Sequence, residues 1–196
     1  YFTGANGSIV HYDGTEFVKM ESGTDVDLID ICGFTVDETG ENIIFISGYR
    51  STYELRSVLI KIENGEVEKL LDYEILPPYL PSTIRISGVI EQIEIYGQDS
   101  IIVSSHWGIY HCSINTRGEG FWQSPDSESE SSIMDISIVE ENDYFLISKH
   151  TESIHFNGLQ YQNMSIPSSN WANASDIKND FMVVVTESGK VIRGYR

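Results

Sequence analysis

His11-Tyr12-Asp13-Gly14-Thr15-Glu16-Phe17 decides how this chain is read, because it returns as His155-Phe156-Asn157-Gly158-Leu159-Gln160-Tyr161. A looser copy stands between the two, Lys61-Ile62-Glu63-Asn64-Gly65-Glu66-Val67. Asp-Gly and Asn-Gly favour a backbone with φ > 0, which closes a tight turn between antiparallel strands. Apolar residues alternate on both sides of each copy, so the repeated unit is a β-hairpin.

Further strands lie outward from these hairpins. Before the first copy come Phe2-Thr3 and an Asn6-Gly7 turn. After it come residues 27–34, a polar turn at 37–40, the apolar run Ile43-Ile44-Phe45-Ile46-Ser47-Gly48, and strands at 56–62 and 67–71. The same order recurs at 84–88 (extended through 93–96), 101–105, 109–113 and around Phe121-Trp122-Gln123, then at 133–138, 144–148, 153–156 and 160–164. A last pass holds only 174–177, 181–185 and 190–193, and no stretch reads as helix. Aligned on the third strand, the units start near Ser8, Ser57, Gly108, Ser153 and Gly189, which are 49, 51, 45 and 36 residues apart. A four-stranded antiparallel unit recurring at roughly 40 to 50 residues is the signature of a propeller blade. An antiparallel sandwich also has many short strands but supplies no such repeated hairpin.

The sequence therefore predicts an all-β fold, a β-propeller of four-stranded antiparallel blades, with about four to five blades' worth of chain. It forms one domain: a partial blade over 1–22, blades over 23–74, 75–125 and 126–166, and a partial blade over 167–196. The amino end supplies strands two to four of a blade and the carboxyl end strands one to three. These sets overlap, so the expected arrangement is an open arc belonging to a larger ring rather than simple closure. Ile44, Ile46, Ile102, Leu146, Val183 and Val185, all on second strands, are expected to pack between neighbouring blades.

The repeated pattern, a small residue and an apolar strand followed by His or Lys, an aromatic, Asp/Asn-Gly and a second aromatic, resembles bacterial secreted or surface β-propellers with tandem Tyr-Asp-Gly-x-x-Trp repeats. More distantly it is similar to Asp-box and photosystem-assembly-factor-like propellers. Phe17, Val67 and Tyr161 stand where those repeats favour Trp. The resemblance covers almost the whole chain and implies the fold and a binding role; it carries no catalytic residue across. It also implies a secreted, periplasmic or cell-surface protein, with the cytoplasm as the alternative.

Composition narrows the partners. Across 196 residues, 12 Lys and Arg face 30 Asp and Glu, giving a formal charge of −18. Such a field repels phosphate backbones and anionic lipid, so nucleic acid is not an expected partner. No apolar run approaches the roughly 18 residues that a spanning helix needs, so membrane insertion is not expected either. The chain begins at Tyr1 rather than Met, which suggests a processed product or a piece of a longer chain. Cys32 and Cys112 lie in apolar strand-like segments without metal-ligand spacing and read as two small buried thiols.

Residues after the second strand belong to connections that open on the same blade end as the inter-blade loops. Tyr49, Arg50, Tyr53, His106, Trp107 and His150 fall there, joined by Tyr79 and Trp171 from the inter-blade loops. Aromatic planes beside a few polar donors suit a protein side chain or a sugar ring, so these eight residues form the expected ligand or partner site. His11 and His155 occupy the same repeat position with His111 close to it, and such places lie far apart around a ring, which argues against a shared metal. The acidic loop at 126–130 lacks the ligand spacing of a calcium loop. No cofactor, metal or catalytic residue is expected: the six arginines fall at unlike repeat positions, and no nucleophile elbow or phosphate loop occurs. The leading reading is a non-enzymatic scaffold that binds a protein or a glycan. A glycoside hydrolase or lyase on the same scaffold, and an acidic inhibitor or immunity-type protein masking a basic partner, are the rivals.

Overall fold

A computed structural model of the chain describes residues 1–51, 55–75, 89–96, 100–105, 108–113, 133–140, 142–148, 152–165, 171–179 and 181–195. Seventeen β-strands, and no helix, lie among the described residues. They form five antiparallel sheets, each a meander whose strands pair in chain order. The first sheet is β1 (Phe2–Gly4), β2 (Ser8–Tyr12) and β3 (Phe17–Glu21). The second is β4 (Leu28–Thr35), β5 (Asn42–Arg50), β6 (Leu55–Glu63) and β7 (Glu66–Ile75). The third is β8 (Ile90–Tyr96), β9 (Ser100–Ser105) and β10 (Gly108–Ser113). The fourth is β11 (Ile133–Glu140), β12 (Asp143–Ser148), β13 (Glu152–Phe156) and β14 (Tyr161–Ser165). The fifth is β15 (Ala172–Lys178), β16 (Phe181–Thr186) and β17 (Val191–Tyr195). The strand expected at 84–88 and the one around Phe121 lie outside the described residues.

The three copies of the hairpin motif fold alike but turn differently. At Asn64-Gly65 both residues have φ > 0, 53° and 75°, which is the two-residue turn expected of Asn-Gly. At Asp13-Gly14 only the glycine does, with φ of 100°. Asp13 instead closes a longer loop with its side chain, Oδ1 accepting the amides of Thr15 at 2.7 Å and Glu16 at 2.9 Å. Asn157 repeats that turn on the amides of Leu159 and Gln160. The Glu16 and Thr15 amides hold the Asp13 carboxyl below its usual range.

The chain divides into two compact units, residues 1–93 and 94–196. In the first unit, Ile9 of β2 and Val26 pack against Leu28, Ile46, Val58, Ile60 and Ile62 of the second sheet. In the second unit, Ile102 and Ile109 of the third sheet pack against Ile133, Ile136, Tyr144, Leu146 and Ile154 of the fourth. On the other side of the fourth sheet, Ile147 packs against Ala172 and Val184 of the fifth. Within each unit the sheets thus stack in one direction. Each has a leading face toward the sheet before it, carrying Ile46 or Leu146. Each also has a trailing face toward the sheet after it, carrying Ile9 or Ile147.

Of the residues expected between blades, Ile46, Ile102 and Leu146 are fully buried and Ile44 is half-buried. Val183 is also only half-buried and Val185 is exposed; Val184 and Thr186 occupy the core face in their place. The run Val183-Val184-Val185 is apolar on both faces, so its composition cannot fix which face is inward. Pairing fixes it: Thr186 opposite Ala172 turns the even-numbered residues toward Ile147. Cys32 is half-buried rather than buried, and the side chain of Cys112 lies outside the description.

One device recurs at the start of the blades. β4, β11 and β15 each carry a bulge after their first residue, between Leu28 and Asp30, Ile133 and Asp135, and Ala172 and Ala174. A bulge re-aims the side chain that follows it. Asp30 accordingly accepts the amide of Ile93, the fourth residue of β8, at 2.8 Å. Asp135 accepts the amide of Ser175, the fourth residue of β15, together with its hydroxyl at 2.9 Å. A carboxylate on one first strand therefore holds the backbone of the next.

Candidate functional site

Of the eight expected site residues, Tyr49, Arg50 and Trp171 are described; Tyr53, Tyr79, His106, Trp107 and His150 lie outside the described residues. Tyr49 and Arg50 are not loop residues as the sequence suggested, but the last two residues of β5. The strand extends because β6 pairs with it to the end, Tyr49 opposite Ser57 and Arg50 opposite Arg56.

That pairing sets two like charges directly across a strand pair, which is destabilising unless neutralised. Asp25, in the connection from β3 to β4, supplies the first counter-charge. Its Oδ2 lies 2.6 Å from the Arg50 guanidinium, which also donates to the Asp25 carbonyl at 3.0 Å. Asp72 on β7 supplies the second, taking two parallel bonds from Arg56 at 2.7 and 2.9 Å. Such a fork is the strongest geometry open to an arginine and a carboxylate. Lys69 adds a third cation 2.8 Å from Asp72 and donates to the Gly23 carbonyl at 3.1 Å.

Lys69 and Asp72 would point to opposite faces of a regular strand. A bulge at Leu70, between the pairs Leu59–Leu71 and Ile60–Lys69, brings them to the same face. Arg50 holds the Asp25 carboxyl below its usual range, and Arg56 does the same for Asp72. Three cations gather on Asp25 and Asp72 here, and Glu74 pairs opposite Arg56 on β7, so this end of the second sheet concentrates cations and carboxylates together in a chain of charge −18.

A backbone bond organises the same end of two blades. The Tyr49 amide donates to the Asp27 carbonyl at 3.1 Å. The Glu187 amide, just after β16, donates to the Trp171 carbonyl at 2.8 Å. The end of a second strand, or the residue just after it, is therefore tied to the connection before the first strand of the same blade. Trp171 stands on that tie in the fifth sheet with 43% of its surface exposed.

The histidines sit where the repeat places them, each against its own aromatic partner. His11 stacks on Tyr1, with ring centres 4.4 Å apart, and His155 lies flat on Phe145 at 4.2 Å with its Nε2 2.8 Å from Asp143 Oδ1. His111 sits among Tyr96 and Tyr144, its Nε2 3.4 Å from the buried Tyr144 hydroxyl, which also meets the Tyr161 hydroxyl at 3.0 Å. Among the described residues no group of three His, Cys, Asp or Glu is placed to hold a metal ion. No helix among them is long and apolar enough to cross a membrane.

Burial lowers the His111 pKa below the ordinary 6.5 and raises that of Tyr144, so both are held neutral. The consequence for stability has a definite sign. Below about pH 6.5 the unfolded chain takes up a proton at His111 that the folded chain refuses, so stability falls as the pH drops towards the folded-state pKa. Asp30 acts in the opposite sense: desolvation outweighs its amide bonds from Ile93 and Ile31 and raises its pKa, so acid relieves a buried charge there. Urea melts between pH 7.5 and pH 5 should show a smaller acid loss in His111→Gln than in the parent chain. Parallel losses in the two proteins would contradict the buried neutral imidazole.

Sequence reasoning missed Asp25, Arg56, Lys69 and Asp72. The available signal was the position of Arg50 and Arg56 on either side of one strand connection, which obliges them to meet and so calls for nearby carboxylates. It also missed Asp30 and Asp135, although Leu28-Ile29-Asp30-Ile31 and Ile133-Met134-Asp135-Ile136 repeat visibly.

No family model matches the chain, and no curated protein matches its sequence. Solved structures do match its fold. YCF48 bound to D1 peptide is 14% identical with a TM-score of 0.63; the alignment covers 97% of this chain and 58% of that one. BBS1N in complex with ARL6DN is 14% identical with a TM-score of 0.64 and the same coverage. The computationally designed Ika4 protein is 10% identical with a TM-score of 0.57, covering 86% of this chain and 90% of that one. The chain thus spans 58% of the length of the first two. These neighbours are β-propellers, and the present fold is an all-β propeller architecture of antiparallel blades.

Proposed function

We propose that this chain is a non-enzymatic binding scaffold that takes a protein partner at the blade end marked by Tyr49 and Arg50. The observation that carries the reading is the Arg50–Asp25–Arg56–Asp72–Lys69 network. It fixes three cations and their carboxylates at the strand end that also carries Tyr49. Fixed side chains lose little freedom when a partner docks. Arginines held in place within a negative field favour a partner that presents a carboxylate to Arg50 and a basic surface around it. Two of the propellers similar in fold were solved with a peptide or a protein bound, which supports this class of function. Glycan binding is the second reading, favoured by the exposed indole of Trp171.

Peptides selected from a random display library on the immobilised chain should lose about 10-fold or more in affinity on Arg50→Ala and on Tyr49→Ala, each a contact in the binding region. Selected binders that ignore both substitutions would assign the partner surface elsewhere. Turnover of a glycoside panel by the purified chain would overturn the non-enzymatic reading.

A further inference from the structure

Asn-Gly occurs three times in this chain, as Asn6-Gly7, Asn64-Gly65 and Asn157-Gly158. The dipeptide carries a reaction of its own. A glycine has no side chain to shield its amide nitrogen, which can attack the Cγ of the preceding asparagine. Attack requires that this nitrogen be free and that the carboxamide be held over it. The three turns differ in both respects.

At Asn6 the nitrogen is engaged. Gly7 is buried and its amide donates to the Val26 carbonyl at 2.8 Å, while the Asn6 amide is tied to Asp27 Oδ1 at 2.8 Å. At Asn64 the glycine is exposed, with nothing within 4 Å of a built Cβ, but no hydrogen bond among the described residues holds the carboxamide.

At Asn157 both conditions are met. Its Oδ1 accepts the amides of Leu159 at 3.1 Å and Gln160 at 3.0 Å, which folds the side chain forward along the chain, over the Gly158 nitrogen. Gly158 is exposed, and its amide makes no hydrogen bond among the described residues. A Cβ at this position would lie 3.1 Å from the Asn142 carbonyl oxygen, and φ is 83°, so the turn calls for glycine and leaves the amide unshielded. The Leu159 and Gln160 amides have a second role. When the Gly158 nitrogen bonds to Cγ, negative charge develops on Oδ1, and two N–H donors already aimed at that atom stabilise it as an oxyanion hole does.

We propose that Asn157 is a deamidation site, promoted by the turn between β13 and β14 and yielding an aspartate that the same turn accommodates. The Gly158 amide loses its proton to hydroxide and its nitrogen bonds to Cγ. The Cγ–Nδ2 bond then breaks, and ammonia leaves with a proton taken from water. Water opens the resulting succinimide, giving aspartate when the new bond at Cγ is cut and isoaspartate when the main-chain carbonyl is attacked. One water is consumed and one ammonia released, with nothing oxidised or reduced. The first copy of the motif already displays the aspartate product. Asp13 stands at the corresponding position, and its Oδ1 takes the amides of Thr15 and Glu16 at 2.7 and 2.9 Å, the same pair of bonds. Deamidation at Asn157 thus gives the later copy the chemistry of the first and adds one negative charge at an exposed turn.

Peptide mapping by mass spectrometry tests this on the full chain held at mildly alkaline pH, with isoaspartate counted by enzymatic methylation. In the folded chain Asn157 should deamidate about 10-fold or more faster than either Asn64 or Asn6, the effect of a hydrogen bond gained on the developing charge. In concentrated urea, where the turns are lost, the rates at the three sites should converge. Asn157→Asp should unfold in urea with the same midpoint as the parent chain. A folded chain in which Asn64 or Asn6 keeps pace with Asn157 would overturn the proposal. A ranking of the three sites unchanged by urea would overturn it too, as would a destabilised Asn157→Asp.

Discussion

Gly7→Ala is expected to lower the unfolding free energy by about 3 to 5 kcal/mol, the sum of a strained backbone and a steric overlap. Gly7 has φ of 67°, and a Cβ built there would lie 2.0 Å from the Thr24 carbonyl oxygen and 2.6 Å from Ser22 Oγ. The turn cannot retreat without cost. The Gly7 amide donates to the Val26 carbonyl at 2.8 Å, and the Asn6 amide donates to Asp27 Oδ1 at 2.8 Å. These bonds fasten the first sheet to the segment entering the second, so moving the turn also loosens the contact of Ile9 with its neighbours. Gly14→Ala is the control. Gly14 has φ of 100° but no atom within 4 Å of a built Cβ, so it isolates the backbone cost of about 1 kcal/mol. Equal losses in urea melts of the two variants would show that the packing of Gly7 against Thr24 does not hold in solution.

Leu146→Ala should cost about 2 to 5 kcal/mol, the range for emptying a packed site that collapses only in part. Leu146 has no exposed surface and lies between the third and fourth sheets with Ile102, Ile109, Ile136 and Ile154. Sheets cannot close such a gap independently, because β12 is paired on both sides, to β11 and to β13. Leu159→Ala provides the comparison, since Leu159 is 92% exposed in the turn between β13 and β14 and should change stability by less than about 0.5 kcal/mol. A Leu146→Ala loss no larger than that of Leu159→Ala would contradict the burial between sheets.

The fold was legible because its signals are local. Asn-Gly and Asp-Gly turns, period-two alternation and a recurring hairpin each depend on a few adjacent residues, and together they place β1 to β7 and β11 to β17 close to their observed bounds. The misread features depend on residues distant in the chain. Three valines in a row look alike from either side, and only the pairing of Thr186 with Ala172 settles which of them is inward. The same Asp/Asn-Gly dipeptide gives two turns, because Asp13 and Asn157 bond their own loop amides while Asn64 takes a left-handed backbone. At the candidate site, Tyr49 and Arg50 were visible as residues after a second strand. The carboxylates that hold Arg50 and Arg56 lie 25 and 16 residues away in sequence, and Asp72 shares its face with Lys69 through a bulge at Leu70. No local pattern announces an extra residue of that kind.

The carboxylate of Asp30 or Asp135 and the amide it grips belong to different repeats, and this has a consequence for how such a chain can grow. At these two joints the second and fourth sheets each carry a socket, an acidic side chain for the successor, and the third and fifth each carry a plug, a main-chain donor for the predecessor. The donor is present whatever side chain stands there, Ile93 in one case and Ser175 in the other, so the receiving blade is under no constraint of residue type at that point. A blade inserted after either socket therefore meets it with a plug of its own main chain. Insertion at these joints thus needs no compensating substitution on the receiving blade.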